Sequence, residues 1–142
     1  MTLDVMLIHS FERNAYRARA MHDFLEFALN KQPEERISHD EVARWAGALD
    51  NWAFYNVTAL EIAIGYYRGE LDYTFCDGAM NDLWGAVQAG FGPGNIQVPE
   101  PFFEIYLAFD AGEYHRKPDK SDNPVADFTN PLIAELVTRL GL

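Results

Sequence analysis

Apolar positions along the chain recur mainly at three- and four-residue steps, the spacing that lines one face of an α-helix. The first series runs from Leu3 to Lys31 and includes Leu7, Phe11, Ala15, Ala18, Met21, Leu25 and Leu29. Because proline disfavours a helical residue before it, we predict that this helix ends at Gln32 and Pro33.

A second helix is predicted to begin at Ser38. Ser38 and Glu41 have the spacing of a capping box, in which each side chain bonds the other residue's backbone amide. We expect a break or bend near Asp50. The stretch from Trp52 to Arg68 is apolar on nearly every side, which is typical of a helix buried between others. Gly69 is predicted to end this helix, because glycine is common just after the last helical residue.

Three further helices follow from capping residues and from glycine or proline at their ends. Thr74 is predicted to cap a helix that extends to Ala89. Phe102 to Ala111 forms the next helix, and Asn130 precedes a proline at the first position of the last one.

Few segments have the alternating pattern of a strand, and only the first residues and 95–98 are candidates. A length of 142 residues fits one domain. The sequence therefore predicts an all-α, single-domain bundle over residues 1–142, with five to six helices around a buried central helix at about 52–68. Flexible connections are predicted at about 90–99 and 115–129.

The amino-acid composition indicates whether the chain folds and in which cellular environment it is expected. Hydrophobic residues make up 49% of the chain, enough for a packed core, and the single cysteine excludes an intramolecular disulfide. The first residues lack the basic start and apolar segment of a signal peptide, and no apolar run reaches the roughly 20 residues that a bilayer requires. We therefore expect a soluble cytoplasmic protein that has no membrane partner.

The net negative charge of the chain indicates which classes of partner it can bind. The chain has 22 acidic residues against 11 Lys and Arg, and residues 69–115 hold eight of the acids with no Lys or Arg. A negative field repels nucleic-acid phosphates and accelerates encounter with basic proteins. We therefore predict no nucleic-acid partner and expect a basic one. The aromatic content is also compatible with a homo-oligomer.

Motifs for cofactors and metals are incomplete. The glycine-rich segment Gly90 to Gly94 follows a helix, contains a proline and has no basic neighbour, so it lacks the features of a phosphate loop. The segment that begins at Asp119 has oxygen donors at alternate positions but lacks the glycine of a calcium loop. The sequence predicts neither a cofactor nor a metal site.

Carboxylates are the remaining candidates for chemistry. Glu61 lies within the most apolar helix, where burial raises the pKa of a carboxyl group. Asp110, Glu113 and His115 could meet where Gly112 ends a helix. A structural hydrogen bond or a partly exposed position for Glu61, and a solvated helix end for the other three, are the simpler explanations.

Two functions remain from the sequence. The first is a protein-binding module of the inhibitor or immunity type that docks a basic partner. Its candidate contact residues are Glu70, Asp72, Asp77, Asp82, Trp84, Glu104, Asp110, Glu113 and Tyr114. The alternative is an enzyme that uses carboxylate acid–base or metal-assisted chemistry around Asp110, Glu113, His115 or Glu61. The docking hypothesis expects Asp77, Asp82, Glu104 and Asp110 to share one face.

Overall fold

The computed structural model describes residues 23–32, 34–47, 50–94 and 96–142, which form helices joined by turns. Helix α1 comprises residues 23–30, and the helices that follow are α2 (His39–Ala46), α3 (Asn51–Tyr67), α4 (Tyr73–Ala89), α5 (Phe102–Asp110) and α6 (Asn130–Leu140). A π-helical turn, Val125–Thr129, leads directly into α6. The predicted all-α bundle is confirmed for these residues. The predicted helical residues 3–22 and the stop at Pro33 lie outside them.

Helices α2 and α3 begin where local capping signals place them. The Glu41 amide donates to Ser38 Oγ at 3.1 Å, and the Ser38 amide donates to Glu41 Oε1 at 2.9 Å, which completes the capping box. Asp50 Oδ1 accepts from the Ala53 amide at 2.7 Å. The chain therefore leaves the helix after Ala46 and starts a new one at Asn51, as the sequence predicts.

Helix α3 packs against α2, α4, α5 and α6, and most of its residues from Phe54 to Gly65 are buried. It ends in a Schellman motif: the Glu70 amide donates to the Gly65 carbonyl at 2.8 Å, and Gly69 has a φ of +76°. A Cβ at Gly65 would lie 2.7 Å from Leu71 Cδ1, so any other residue here would require the Leu71 side chain to move. The predicted end at Gly69 is confirmed.

Helix α4 begins two residues earlier than predicted, because its capping residue is Asp72 and not Thr74. Asp72 Oδ1, rather than Thr74, bonds the Phe75 amide, at 2.8 Å, and Tyr73 is the first helical residue. Both residue types cap helices, but a carboxylate also interacts favourably with the helix dipole. The earlier start places Tyr73 in the helix, where its hydroxyl donates to the Phe109 carbonyl of α5 at 2.7 Å.

The last helical segment also begins before its predicted start. Asn123 Oδ1 accepts from the Ala126 amide at 3.2 Å, so the Asn123-Pro124 pair, not Asn130-Pro131, opens the helical segment. The Asn130 amide bonds the Val125 carbonyl in the wider π-type pattern. The Asn130 side chain accepts from the Tyr66 hydroxyl of α3, so it contacts another helix instead of capping its own.

Aromatic side chains hold the helices together. Phe24 of α1 packs on Trp45 of α2 and on Phe54 of α3, with ring centroids 5.7 and 6.5 Å apart. Asn56 of α3 reaches α5, where its Oδ1 accepts from the buried amide of Phe102 at 3.1 Å. Helix α5 is thereby fixed on α3 and lies beside α4.

No helix among the described residues combines the length and apolarity needed to cross a bilayer.

Candidate functional site

Three carboxyl groups meet where α4 packs against the end of α5. Asp77 lies on α4, Asp110 is the last residue of α5, and Glu113 lies in the turn that follows. Glu113 is the centre of the group, because it contributes to the raised pKa of both Asp77 and Asp110. Asn81 of α4 donates to Glu113 Oε2 at 2.7 Å. We call Asp77, Asp110 and Glu113 the carboxylate cluster.

Local structure explains why Glu113 reaches α4. Asp77 and Asn81 are one helical turn apart and therefore point to the same side of α4. The Glu113 amide donates to the Asp110 carbonyl at 3.0 Å, which closes a tight turn through Gly112. A Cβ at Gly112 would lie 2.5 Å from Thr129 Oγ1, so only glycine permits this close approach.

Burial and like charge raise the pKa values in the cluster. The pKa of Asp77 rises from 3.8 to about 7 because the group is partly buried, because it hydrogen-bonds Glu113, and because Glu113 and Asp110 are negative. Partial burial and the charge of Glu113 also raise the pKa of Asp110, and the nearby Arg116 opposes that shift. Asp77 therefore holds its proton for much of the time at neutral pH.

Two tyrosines are affected by the same negative charge. The pKa of Tyr73 and that of Tyr106 are raised by burial and then by the carboxylates of the cluster. Tyr73 is also within hydrogen-bond reach of Asp77. Its hydroxyl donates to the Phe109 carbonyl. Hydrogen bonding by Tyr73 lowers the pKa of Asp77, but by less than burial and Glu113 raise it.

Arg116 supplies positive charge next to the cluster but is held by other groups. Its guanidinium stacks between the rings of Tyr114 and Phe128, at 3.8 and 3.9 Å from their centroids. It also donates to the backbone carbonyls of Ala111 and Tyr114. Its positive charge opposes the rise in the pKa of Asp110 but does not reverse it.

The sequence suggested that His115 meets Asp110 and Glu113, but in the structure it contacts a different carboxylate. Its Nδ1 lies 2.9 Å from Asp122 Oδ1, and Asp122 also accepts from the Arg116 amide at 2.8 Å. The amide hydrogen bond from Arg116 is the main reason that the pKa of Asp122 falls to about 2. In the structure Asp77 occupies the place beside Asp110 and Glu113 where the sequence predicted His115.

Other candidate residues serve the fold. Asp82 pairs at 3.4 Å with Lys31, the residue after α1, and Glu104 pairs with Arg139 of α6. Asp82 follows Asp77 by five residues, which turns its side chain about 140° around α4. Asp77 and Asp82 therefore do not share one face of α4, and the acidic-docking hypothesis loses the main support that a shared face of Asp77, Asp82, Glu104 and Asp110 would have given it.

The remaining predicted contact residues lie outside the carboxylate cluster. Trp84 packs against Phe103 and Tyr106 of α5, with ring centroids 5.1 and 5.3 Å apart. Asp72 caps α4, and Glu70 is exposed in the turn before it. Tyr114 is exposed and stacks on Arg116 at the edge of the cluster.

The two other groups considered for chemistry are less suited to it. Glu61 is half-buried on α3 and interacts with a neighbouring group. Cys76 is fully buried, and burial followed by the charges of Asp72 and Asp77 raises the pKa of its thiol to about 12. A thiol with that pKa is a poor nucleophile at neutral pH.

A separate cavity of about 180 Å³ lies between the start of α3 and the end of α4. Trp52, Tyr55 and Phe91 form its aromatic wall, and Gln97 contributes an amide. Burial raises the pKa of Tyr55 to about 12. The described residues around this cavity include no charged side chain, so it lacks an acid, a base and a partner for an ion.

Within the described part of the chain, no group of three or more His, Cys, Asp or Glu side chains has the arrangement needed to hold a metal ion. The chain was also compared with protein-family models, with curated proteins and with solved structures, and none of these comparisons finds a match. The function is therefore inferred from the chemistry of the site. A cluster of crowded carboxyl groups can exchange a proton or receive a positively charged group.

Proposed function

We propose that this protein binds a basic protein partner and that the carboxylate cluster of Asp77, Asp110 and Glu113 is the centre of the binding surface. The observation that carries this proposal is the crowding of three carboxyl groups that form no ion pair with any of the described residues. Burial, and after it the neighbouring carboxyl groups, raise the pKa values of Asp77 and Asp110. A Lys or Arg side chain from a partner would relieve the repulsion between these groups and would therefore bind favourably.

The surface around the cluster has the composition of a protein interface. Leu107 is 46% exposed and lies one helical turn before Asp110, and Tyr114 is 55% exposed beside Arg116. Interfaces commonly combine such apolar and aromatic contacts with charged groups that select the partner. This proposal narrows the candidate contact residues to the cluster and its neighbours. It leaves out Asp82 and Glu104, which form intramolecular ion pairs.

Long-range electrostatics support the same partner class. A net charge of −11 produces a negative field that speeds encounter with a basic protein and is screened by salt. The field alone would serve solubility equally well. The carboxylate cluster is what locates the proposed contact on the surface.

The proposal is tested by affinity capture from native lysate with a charge-matched control. The test variant, Asp110→Asn with Glu113→Gln, removes two negative charges from the cluster. The control, Glu34→Gln with Glu135→Gln, removes two exposed charges elsewhere. We expect the wild type and the control to capture the same basic protein at low salt and to lose it at high salt. The cluster variant should not capture it.

Equal recovery by the cluster variant would show that the carboxylate cluster is not the binding surface. Recovery that does not depend on salt would contradict electrostatic docking altogether. Amide chemical shifts measured while an oligo-arginine peptide is added provide a second test. The largest changes should lie around residues 77, 110 and 113.

A second candidate function is acid–base catalysis, and the raised pKa of Asp77 favours it. A carboxyl group with a pKa of about 7 is suited to give and take a proton at neutral pH. The structure favours Asp77 with Glu113 for this role, in place of the predicted His115 or Glu61. The test is a thermal-shift screen of small metabolites. A ligand that raises the Tm of the wild type but not that of Asp77→Asn would support catalysis at this site.

A further inference from the structure

The cavity between the start of α3 and the end of α4 has a wall of aromatic and aliphatic side chains. Trp52 and Tyr55 lie one turn apart on α3, and Val87 and Phe91 come from the end of α4 and the residues just after it. Residues three positions apart in a helix point to the same side, so Trp52 and Tyr55 face the same space. The cavity has a volume of about 180 Å³. Because an apolar cavity of about 150 Å³ holds a benzene molecule, this space can hold one six-membered ring with a small substituent.

The hydroxyl of Tyr55 is a polar group in this wall that lacks a described partner. Tyr55 is 4% exposed, and its ring contacts those of Phe54 and Phe102, with centroids 5.8 and 5.6 Å apart. Among the described residues, no group donates a hydrogen bond to its hydroxyl or accepts one from it. Buried hydroxyls in proteins are nearly always hydrogen-bonded. Since Tyr55 borders the cavity, a molecule inside the cavity can supply the partner.

Two amide side chains border the same cavity. Asn51 begins α3 one turn before Tyr55, and Gln97 comes from the segment before α5. Each amide can donate and accept, and neither is engaged in a hydrogen bond with the described residues. The described lining contains no charged side chain, so an ion that entered the cavity would lose its hydration without compensation. The lining therefore selects an uncharged ligand.

We propose that this cavity binds an uncharged, single-ring aromatic amide, or a heterocycle with a similar donor and acceptor, with the ring against Trp52 and Phe91 and the polar edge at the Tyr55 hydroxyl. Trp52 is 43% exposed, so the ring can enter beside it from solvent. The site is separate from the carboxylate cluster, because Asp77 precedes Val87 by about 15 Å along α4. It does not depend on the proposed binding of a basic protein.

The proposal is tested by titrating the full chain with benzamide and following the backbone amides by NMR. Benzamide is uncharged and combines one aromatic ring with a donor and an acceptor. We expect saturable shifts around residues 51–55, 86–91 and 97, with a Kd of about 1 mM or lower, which is reasonable for a ligand of this size. Benzoate has nearly the same shape but is negatively charged, so it should bind at least about tenfold more weakly.

Two matched variants test the role of the hydroxyl. Tyr55→Phe removes only that group, so it should weaken benzamide binding roughly three- to tenfold, as expected for the loss of one neutral hydrogen bond. The Tm of the free variant should stay close to that of the wild type, because the hydroxyl has no described partner to lose. Tyr67→Phe is the control: it removes a hydroxyl from the other end of α3, where Tyr67 is 54% exposed, and it should bind benzamide like the wild type.

Four results would each overturn the proposal. The absence of localised shifts up to about 10 mM benzamide would mean that the cavity holds only water. Equal affinity of the wild type and Tyr55→Phe would mean that the hydroxyl does not contact the ligand, and a clearly lower Tm of free Tyr55→Phe would mean that it has a partner within the protein. Equal affinity for benzamide and benzoate would contradict the selection of an uncharged ligand. None of these results affects the capture of a basic protein, which the cluster variant tests separately.

Discussion

Replacement of Asn56 by alanine should destabilise the protein by about 2 to 3 kcal/mol, because it removes the hydrogen bond that fixes α5 on α3. Asn56 is 8% exposed, and its Oδ1 accepts from the amide of Phe102, which is fully buried, at 3.1 Å. A buried amide that loses its acceptor costs about 1 to 3 kcal/mol. The removed atoms also leave a void of roughly 30 Å³, which adds about 0.7 kcal/mol at 24 cal/mol per Å³.

Two further variants separate these contributions. Asn56→Leu fills the void without supplying an acceptor, so it should retain most of the loss. Asn30→Ala is the control, because the Asn30 side chain is exposed and, among the described residues, donates to the Glu26 carbonyl. We expect the control to change the free energy of unfolding by less than about 0.5 kcal/mol.

The assay is urea-induced unfolding followed by tryptophan fluorescence, with the free energy extrapolated to water. The reasoning would be refuted if Asn56→Ala fell within about 0.5 kcal/mol of the wild type, or if Asn56→Leu restored full stability. The first result would mean that the Phe102 amide finds another partner. The second would mean that packing, not the hydrogen bond, is what Asn56 contributes.

Two other substitutions test the turn and the cap that shape the site. Gly112→Ala would place a Cβ 2.5 Å from Thr129 Oγ1 and 2.9 Å from the Tyr73 hydroxyl, so we expect a loss of about 1 to 3 kcal/mol and a lower Tm by calorimetry. An unchanged Tm would show that the turn can move away from α4 at little cost. Asp72→Ala should cost about 1 kcal/mol and Thr74→Ala less than about 0.5, and the reverse order would contradict the assigned cap of α4.

The carboxylate cluster makes the pH of any binding assay important. If a basic side chain enters the cluster, it favours the ionised form of Asp77, whose pKa is raised to about 7 by burial and by the neighbouring carboxyl groups. Binding should then release protons to the buffer, which calorimetry in buffers of different ionisation enthalpy can count. A salt series at one pH would miss this exchange, because screening and proton release both change the apparent affinity.

Local interactions allowed much of the helical arrangement to be predicted from the sequence. The Ser38 and Glu41 capping box, the new helix at Asp50 and the end at Gly69 each depend on residues within a few positions of one another. The helix after Asp50 was expected to be buried because its apolar residues face every side. Such signals are readable in sequence because the interacting groups are close along the chain.

Where two local signals were equally good, tertiary contacts decided between them. Asp72 and Thr74 can both cap a helix, and the start at Tyr73 gives that residue its bond to α5. Two Asn-Pro pairs precede the last helix, and Asn130 is occupied by the Tyr66 hydroxyl of α3. Local propensity differs little between such alternatives, so a single contact with another helix outweighs it.

The same distinction applies to the site. The sequence by itself determined that this protein is acidic and that Asp110 and Glu113 lie on either side of a helix-ending glycine. Only the packing of α4 against α5 brought Asp77 to them, and only the positions of α1 and α6 placed Lys31 against Asp82 and Arg139 against Glu104. Charge is a property of composition, but repulsion between carboxylates depends on distances that the tertiary fold alone establishes.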